Sequence, residues 1–167
     1  LPKKVFANSN EMEVFFLNEK LLTDDLQKIC NTLSHEFQHM IHYANDLNED
    51  VFIDEGLSGL AETLSGSEIS SSFINSYLKN INRSLIKWPA GSDTFAYYGS
   101  SGLFATYLYN RFGKDFIRKL VSIQANGMDG IDEALSEISM DADTVFGDWV
   151  LLQMKTFLGY SDPLLTI

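Results

Sequence analysis

Residues 31–46, NTLSHEFQHMIHYAND, contain all three histidines of the chain: His35, His39 and His42. Clustered imidazoles constrain a fold when the backbone carries them onto one surface, and the flanking residues show which backbone does so. Leu26, Ile29, Cys30, Leu33, Phe37, Met40, Ile41 and Ala44 recur at spacings of three and four. That period is the mark of an amphipathic helix turning about 100° per residue. The three histidines fall opposite the apolar stripe, within about 60° of one another. The pattern therefore predicts a helix whose apolar side, Cys30 included, meets the core and whose histidine side does not. Thr23 is the expected N-cap, with Asp24 and Asp25 in the first turn, where the helix dipole favours carboxylates. Asn45 and the polar run that follows end the helix.

The rest of the chain is globular in composition. With 167 residues, 45% hydrophobic, 13% aromatic and three prolines, it can bury a core and is neither disordered nor low-complexity. A net charge of −11 argues against nucleic acid or an anionic membrane as partner, since both select basic surfaces. A single cysteine excludes an internal disulfide. No window of about 18 apolar residues suggests a membrane span, and LPKKVFANSN lacks the apolar core of a signal peptide. MEVFFLN (12–18) reads as a strand and KKVFA (3–7) as a second. DEGLSGLAETLSG reads as a helix capped by Asp54 and stopped at Gly66, and further helices are expected over 68–83, 95–111, 114–126, 131–139 and 142–158. The expected fold is α+β and mostly helical: a part with the strands and the first two helices (1–66), joined to a helical part (67–167) in one compact domain.

The local order HEFQH fits H-E-x-x-H, and the spacing has a chemical consequence. Residues at i and i+4 of a helix point the same way, so His35 and His39 can converge on one metal ion. Glu36 then lies beside the ion rather than on it, where a carboxylate can move a proton from water to a leaving amine. A zinc site needs a third protein ligand. His42 is seven residues beyond His35, about 10.5 Å along the axis, too far for three side chains of one straight helix to enclose an ion. Cys30 is on the apolar side. A carboxylate remains, and Glu55, 16 residues past His39 on a second helix that a short connection folds back antiparallel, is the first choice. Glu62 lies seven residues on and shares that face; it is either the alternative ligand or a residue holding a ligand histidine's N–H.

HEFQHMIHY followed by DEGLSGLAE resembles the gluzincin metallopeptidases, most closely the hyicolysin-like (M30) group. The resemblance continues through YYGSSGLFATYLYNRFG and GIDEALSEISMDADTVFGDWVLLQM, from about residue 28 onward. It implies a zincin-like domain with one Zn2+ per chain, His35, His39 and Glu55 as ligands and Glu36 as the base. DEGLSGLAE also resembles the segment of M1-type aminopeptidases whose glutamate is the third ligand, which favours Glu55 over Glu62. FAYYGSSG resembles the stretch that carries the oxyanion-stabilising tyrosine of those enzymes, implying Tyr98, with Tyr97 as the alternative. The glycine that metzincins place three residues after the second histidine is His42 here, and no further histidine follows.

A shorter gap between His39 and Glu55 than in M1-type enzymes, and no exopeptidase motif, favour an endopeptidase acting on a polypeptide substrate. The resemblance places MEVFFLN where zincins pair an edge strand with extended substrate, which makes Phe16 a candidate cleft residue. The loop 84–95 is expected to border the cleft, with Trp88 filling a pocket, and Tyr97 is a further candidate. His42 is read as a helix-face residue without chemistry, with a place lining the substrate cleft as the alternative. The resemblance also implies a secreted or surface-attached bacterial protein; a monomer is expected. The competing readings are a catalytically inactive zincin-fold binding domain and an aminopeptidase. All expected catalytic groups are present, which counts against the first.

Overall fold

A computed structural model gives the architecture and describes residues 7–8, 12, 14–20, 26–91, 94–159 and 163–165. Among these the regular structure is entirely helical: α1 (Leu26–Asn45), α2 (Val51–Leu64), α3 (Ser71–Leu78), α4 (Phe95–Ser122), α5 (Gly127–Leu135) and α6 (Ala142–Phe157), with short 3₁₀ turns at Ser136–Ile138 and Pro163–Leu165. The described part of the expected strand at 12–18 forms no ladder, so the described fold is all-α and the α+β expectation is corrected. Aromatic and β-branched composition favours a strand only where a partner strand supplies packing and hydrogen bonds. The expected strand at 3–7 and the expected cap at Thr23, Asp24 and Asp25 lie, but for Ala7, outside the described residues.

The core is built by α2 and the helices after it. Phe52, Ile53, Leu57 and Leu60 of α2 pack with Phe104, Tyr107 and Leu108 of α4, Ile131 and Leu135 of α5, and Val145 and Trp149 of α6. Burying each such side chain contributes about 1.5–3 kcal/mol. α2 packs against both α1 and α4, and α4 also takes α3. Small residues make the α2–α4 approach possible. A Cβ on Gly56 would sit 2.8 Å from the Ser101 carbonyl oxygen and one on Gly59 3.7 Å from the Gly102 Cα, while Gly99 lets α3 approach α4, since a Cβ there would run into the Phe73 carbonyl. Ser58, Ser100 and Ser101 are buried along the same contact. The GLSG and GSSG stretches thus let two backbones approach and set where Glu55 and Tyr98, their immediate neighbours, can reach.

Gly113 (φ 82°, ψ 178°) has non-helical backbone and breaks α4 into two helical runs, in keeping with the separate helices expected over 95–111 and 114–126. The α6 N-terminus is held by the Asp141 carboxylate, which accepts the Thr144 N–H at 2.7 Å.

α1 is turned the other way from its pattern. Its buried residues are Ile29 and His42 alone, whereas Leu26, Phe37 and Ile41 are 69%, 53% and 38% exposed and Cys30 is exposed. The histidine side packs on α2, whose facing residues are carboxylates. Imidazole–carboxylate pairing, rather than apolar burial, sets the orientation.

Candidate metal centre

α1 holds His35 and His39 one turn apart, with ring centroids separated by 4.8 Å. From α2, Glu55 reaches between them: its Oε2 lies 3.3 Å from His35 Nε2 and 3.6 Å from His39 Nε2. The three donor atoms all lie within 4.8 Å of one another, and no other such group of three occurs among the described residues. Donors about 2.0–2.1 Å from one tetrahedral zinc stand about 3.4 Å apart, so the triangle has the size of one ion. Glu55 Oε2 is buried and accepts no hydrogen bond. A buried acceptor without a hydrogen-bond partner, aimed between two imidazole nitrogens, is suited to a cation, and on that observation these residues fit a metal.

The far sides of both rings are tethered to α2. His35 Nδ1 donates to Glu62 Oε1 at 2.7 Å, and His39 Nδ1 donates to Asp54 Oδ1 at 2.9 Å with Ser58 Oγ at 3.1 Å. Each bond fixes the ring with Nε2 facing Glu55. Glu62 therefore stands on the outer side of His35, away from the donor triangle. Asp54 and Ser58 were not anticipated, and Asp54 caps nothing: the cap position is Asp50. One signal was available, because Asp54, Ser58 and Glu62 recur every fourth residue as a polar stripe along the helix.

The electrostatics follow from the four groups together. Burial pulls the His35 imidazole down, but the Glu55 and Glu62 carboxylates that face it outweigh this and raise it from 6.5 to about 9. Burial likewise opposes the charge on His39, while Asp54 and Glu55 carry it to about 10. Burial raises the Glu55 carboxyl, yet His35 and His39 more than compensate and lower it from 4.5 to about 2. Asp54 is held below the ordinary carboxylate range in the same way, burial being outweighed by His39 and His42. The carboxylates around the two rings thus favour positive charge at this point.

Tyr98 reaches the same centre. Its hydroxyl donates to Glu55 Oε1 at 3.3 Å, and burial, then the Glu55 charge, push the phenol above its usual value so that it stays a donor. Trp88 packs edge-on against Tyr98 (5.1 Å) and Phe73 stacks on it (5.2 Å), which fixes the ring. Tyr97 points elsewhere, beneath Arg83 and against Trp88. Glu36 is exposed and, with His39, lines a cavity of about 830 Å³ walled by Met12, Val14, Phe15, Met40 and Leu47. Phe16 is 90% exposed and lies outside that wall; its neighbours Val14 and Phe15 take the place expected of it.

An H-E-x-x-H pair and a carboxylate from the next helix are thus gathered at one point. Compared with known proteins, the chain is 26% identical over 147 residues to the neutral metalloprotease ShpI of Staphylococcus hyicus, an alignment covering 77% of this chain and 34% of that protein. The chain thus spans about a third of the length of that relative. No family model matches, and no solved structure matches. No described helix is long and apolar enough to cross a membrane.

Proposed function

We propose that this chain carries the catalytic site of a zinc-dependent endopeptidase. The observation that carries the reading is the convergence of His35 Nε2, His39 Nε2 and the orphaned Glu55 Oε2; the similarity to ShpI supports it. Zinc held by these three atoms would supply Lewis-acid activation of a water and of the scissile carbonyl. Glu36, beside the ligand pair and open to the cavity, takes the proton of the attacking water and delivers it to the departing amine. Tyr98 donates its hydroxyl to the carbonyl oxygen as negative charge develops there. Asp54 and Glu62 keep both imidazoles in the tautomer that leaves Nε2 free. The cavity beside Glu36, apolar on one wall, receives the peptide. A secreted or surface-attached setting belongs to the same proposal, on the family resemblance alone.

The test pairs metal content with cleavage of a peptide blocked at its N-terminus. The full-length protein should hold about one zinc per chain and cut the blocked peptide. Glu36→Gln should keep the zinc and lose about 10²–10⁴-fold in kcat. Absence of zinc after exposure to it, or an undiminished Glu36→Gln enzyme, overturns the reading.

A further inference from the structure

His42 is the histidine that the H-E-x-x-H pattern leaves unused, and it is the more deeply buried one, 1% exposed against partly exposed rings at His35 and His39. Burying an imidazole without partners is costly, so its surroundings should explain it. They consist of two carboxylates. Nδ1 lies 3.4 Å from Asp54 Oδ1 and Nε2 lies 3.6 Å from Glu49 Oε2. These are ion-pair separations rather than aligned hydrogen bonds, and neither nitrogen has a hydrogen-bond partner. A neutral ring has one N–H and can serve one carboxylate; only the imidazolium faces both with a donor. Burial works against that charge, but Asp54 and Glu49 outweigh it and carry the group from 6.5 to about 9.

Both carboxylates are committed on their other sides. Asp54 Oδ1 is the same atom that accepts from His39 Nδ1. The Glu49 Oε1 atom accepts the backbone N–H of Asp50 at 2.6 Å and of Gly127 at 2.7 Å. Gly127 opens α5 with φ +58°, and a Cβ there would collide with the Asp50 carboxylate, so glycine alone lets its N–H approach Glu49. Asn126 and Gln124 tie the same loop down through bonds of 2.6 Å to the carbonyls of Asn48 and Asn45. The result is an unbroken series, His39–Asp54–His42–Glu49–Gly127, alternating imidazole and carboxylate from the metal centre to the start of α5.

We infer that His42 is a positioning residue: it clamps the Asp54 carboxylate against His39, so that His39 Nε2 stays aimed at the metal, while Glu49 anchors the clamp to α5. An apolar side chain at 42 would fill the space, yet would leave Asp54 free to swing and Glu49 with a buried, uncompensated charge. The inference rests on the metallopeptidase reading in taking His39 as a ligand.

The experiment is cobalt(II) binding to the full-length protein, read by its visible d–d spectrum and by competition with a chelator, with circular dichroism to establish folding. His42→Leu should weaken cobalt binding about 10–100-fold, the range found when a partner of a ligand histidine is lost, and should alter the band shape. His42→Gln, whose amide can still donate to one carboxylate, should recover part of the affinity. Asp54→Asn should lose as much as His42→Leu, and the double variant no more than either alone, because both act through one atom. Should His42→Leu fail to fold, Glu49→Gln replaces it; it keeps the acceptor for Gly127 and removes the charge facing His42, and a smaller loss in the same direction is expected. A folded His42→Leu or Glu49→Gln protein with wild-type affinity and spectrum overturns the clamp and leaves the metallopeptidase reading standing, as does additivity in the double variant. A wild-type protein that takes up neither cobalt nor zinc overturns both.

Discussion

Zinc entering the metal-free centre should expel about two protons at about pH 7.5, and the number follows from the carboxylates around the ligands. His35, raised to about 9, and His39, raised to about 10, are both in the imidazolium form at that pH. Their occupancies are about 0.97 and about 1.0, whereas two histidines at the ordinary value of 6.5 would carry only about 0.2 proton between them. Lowering both groups by one unit still leaves about 1.7 protons. Glu55 and Asp54, both held below their usual range, are already ionised and release none. Calorimetric titration with zinc in phosphate, HEPES and Tris at one pH gives the count, because the apparent enthalpy varies with the buffer's ionisation enthalpy in proportion to protons released. The same coupling makes log K for zinc rise by about two per pH unit between about pH 6 and 8.5. A slope near 0.2 proton would show that Glu55, Glu62 and Asp54 do not hold the imidazoles as described.

The same groups set the pH behaviour of the metal-free fold. His35 and His39 titrate higher in the fold than their ordinary 6.5, so their contribution is complete below that pH and fades as pH rises through about 9 to 10. Glu55 titrates lower than 4.5, so its contribution is complete above that pH and fades toward about 2. The melting temperature of chelator-treated protein should peak between those two values, and a flat profile from pH 5 to 10 would contradict the pairing. Tyr98→Phe should retain zinc and lower kcat by about 10²–10³-fold with little change in KM, as for loss of one oxyanion donor; unchanged kcat would remove Tyr98 from the reaction. Gly56→Ala places a Cβ 2.8 Å from the Ser101 carbonyl and should cost about 1–3 kcal/mol in chemical denaturation; a neutral result would mean that α2 and α4 do not approach as closely as described.

What could be read from the sequence was governed by how local each constraint is. The i, i+4 pair and the glutamate on the following helix depend on helical periodicity and one short connection, and the structure brings those three residues together. The orientation of α1 did not follow from its apolar stripe, because the competing term was a set of imidazole–carboxylate pairs with α2, which apolar periodicity does not register. Asp54 looked like a cap because it precedes a helical pattern. The helix in fact begins at Val51, where the buried Phe52 and Ile53 fix an earlier start. MEVFFLN has strand composition, but strands are made by partners, and none lies among the described residues. His42 was set aside because it lacked the motif's spacing, whereas its burial depends on Glu49 and Asp54, brought to it by the turn between α1 and α2.

The inverted seating of α1 carries a consequence for how the molecule comes apart. With only Ile29 and His42 buried, α1 is fastened by charge pairs, to which the zinc of the proposed function would add a bridge from His35 and His39 to Glu55, while α2, α4, α5 and α6 share a continuous apolar interior. Stripping the ion and neutralising the histidines would release one layer and leave the other intact. Amide hydrogen exchange in α1 would then proceed by a local opening far shallower than global unfolding. The centre is thus also the latch between two parts of unequal stability, and the more weakly held part is the one that carries Glu36.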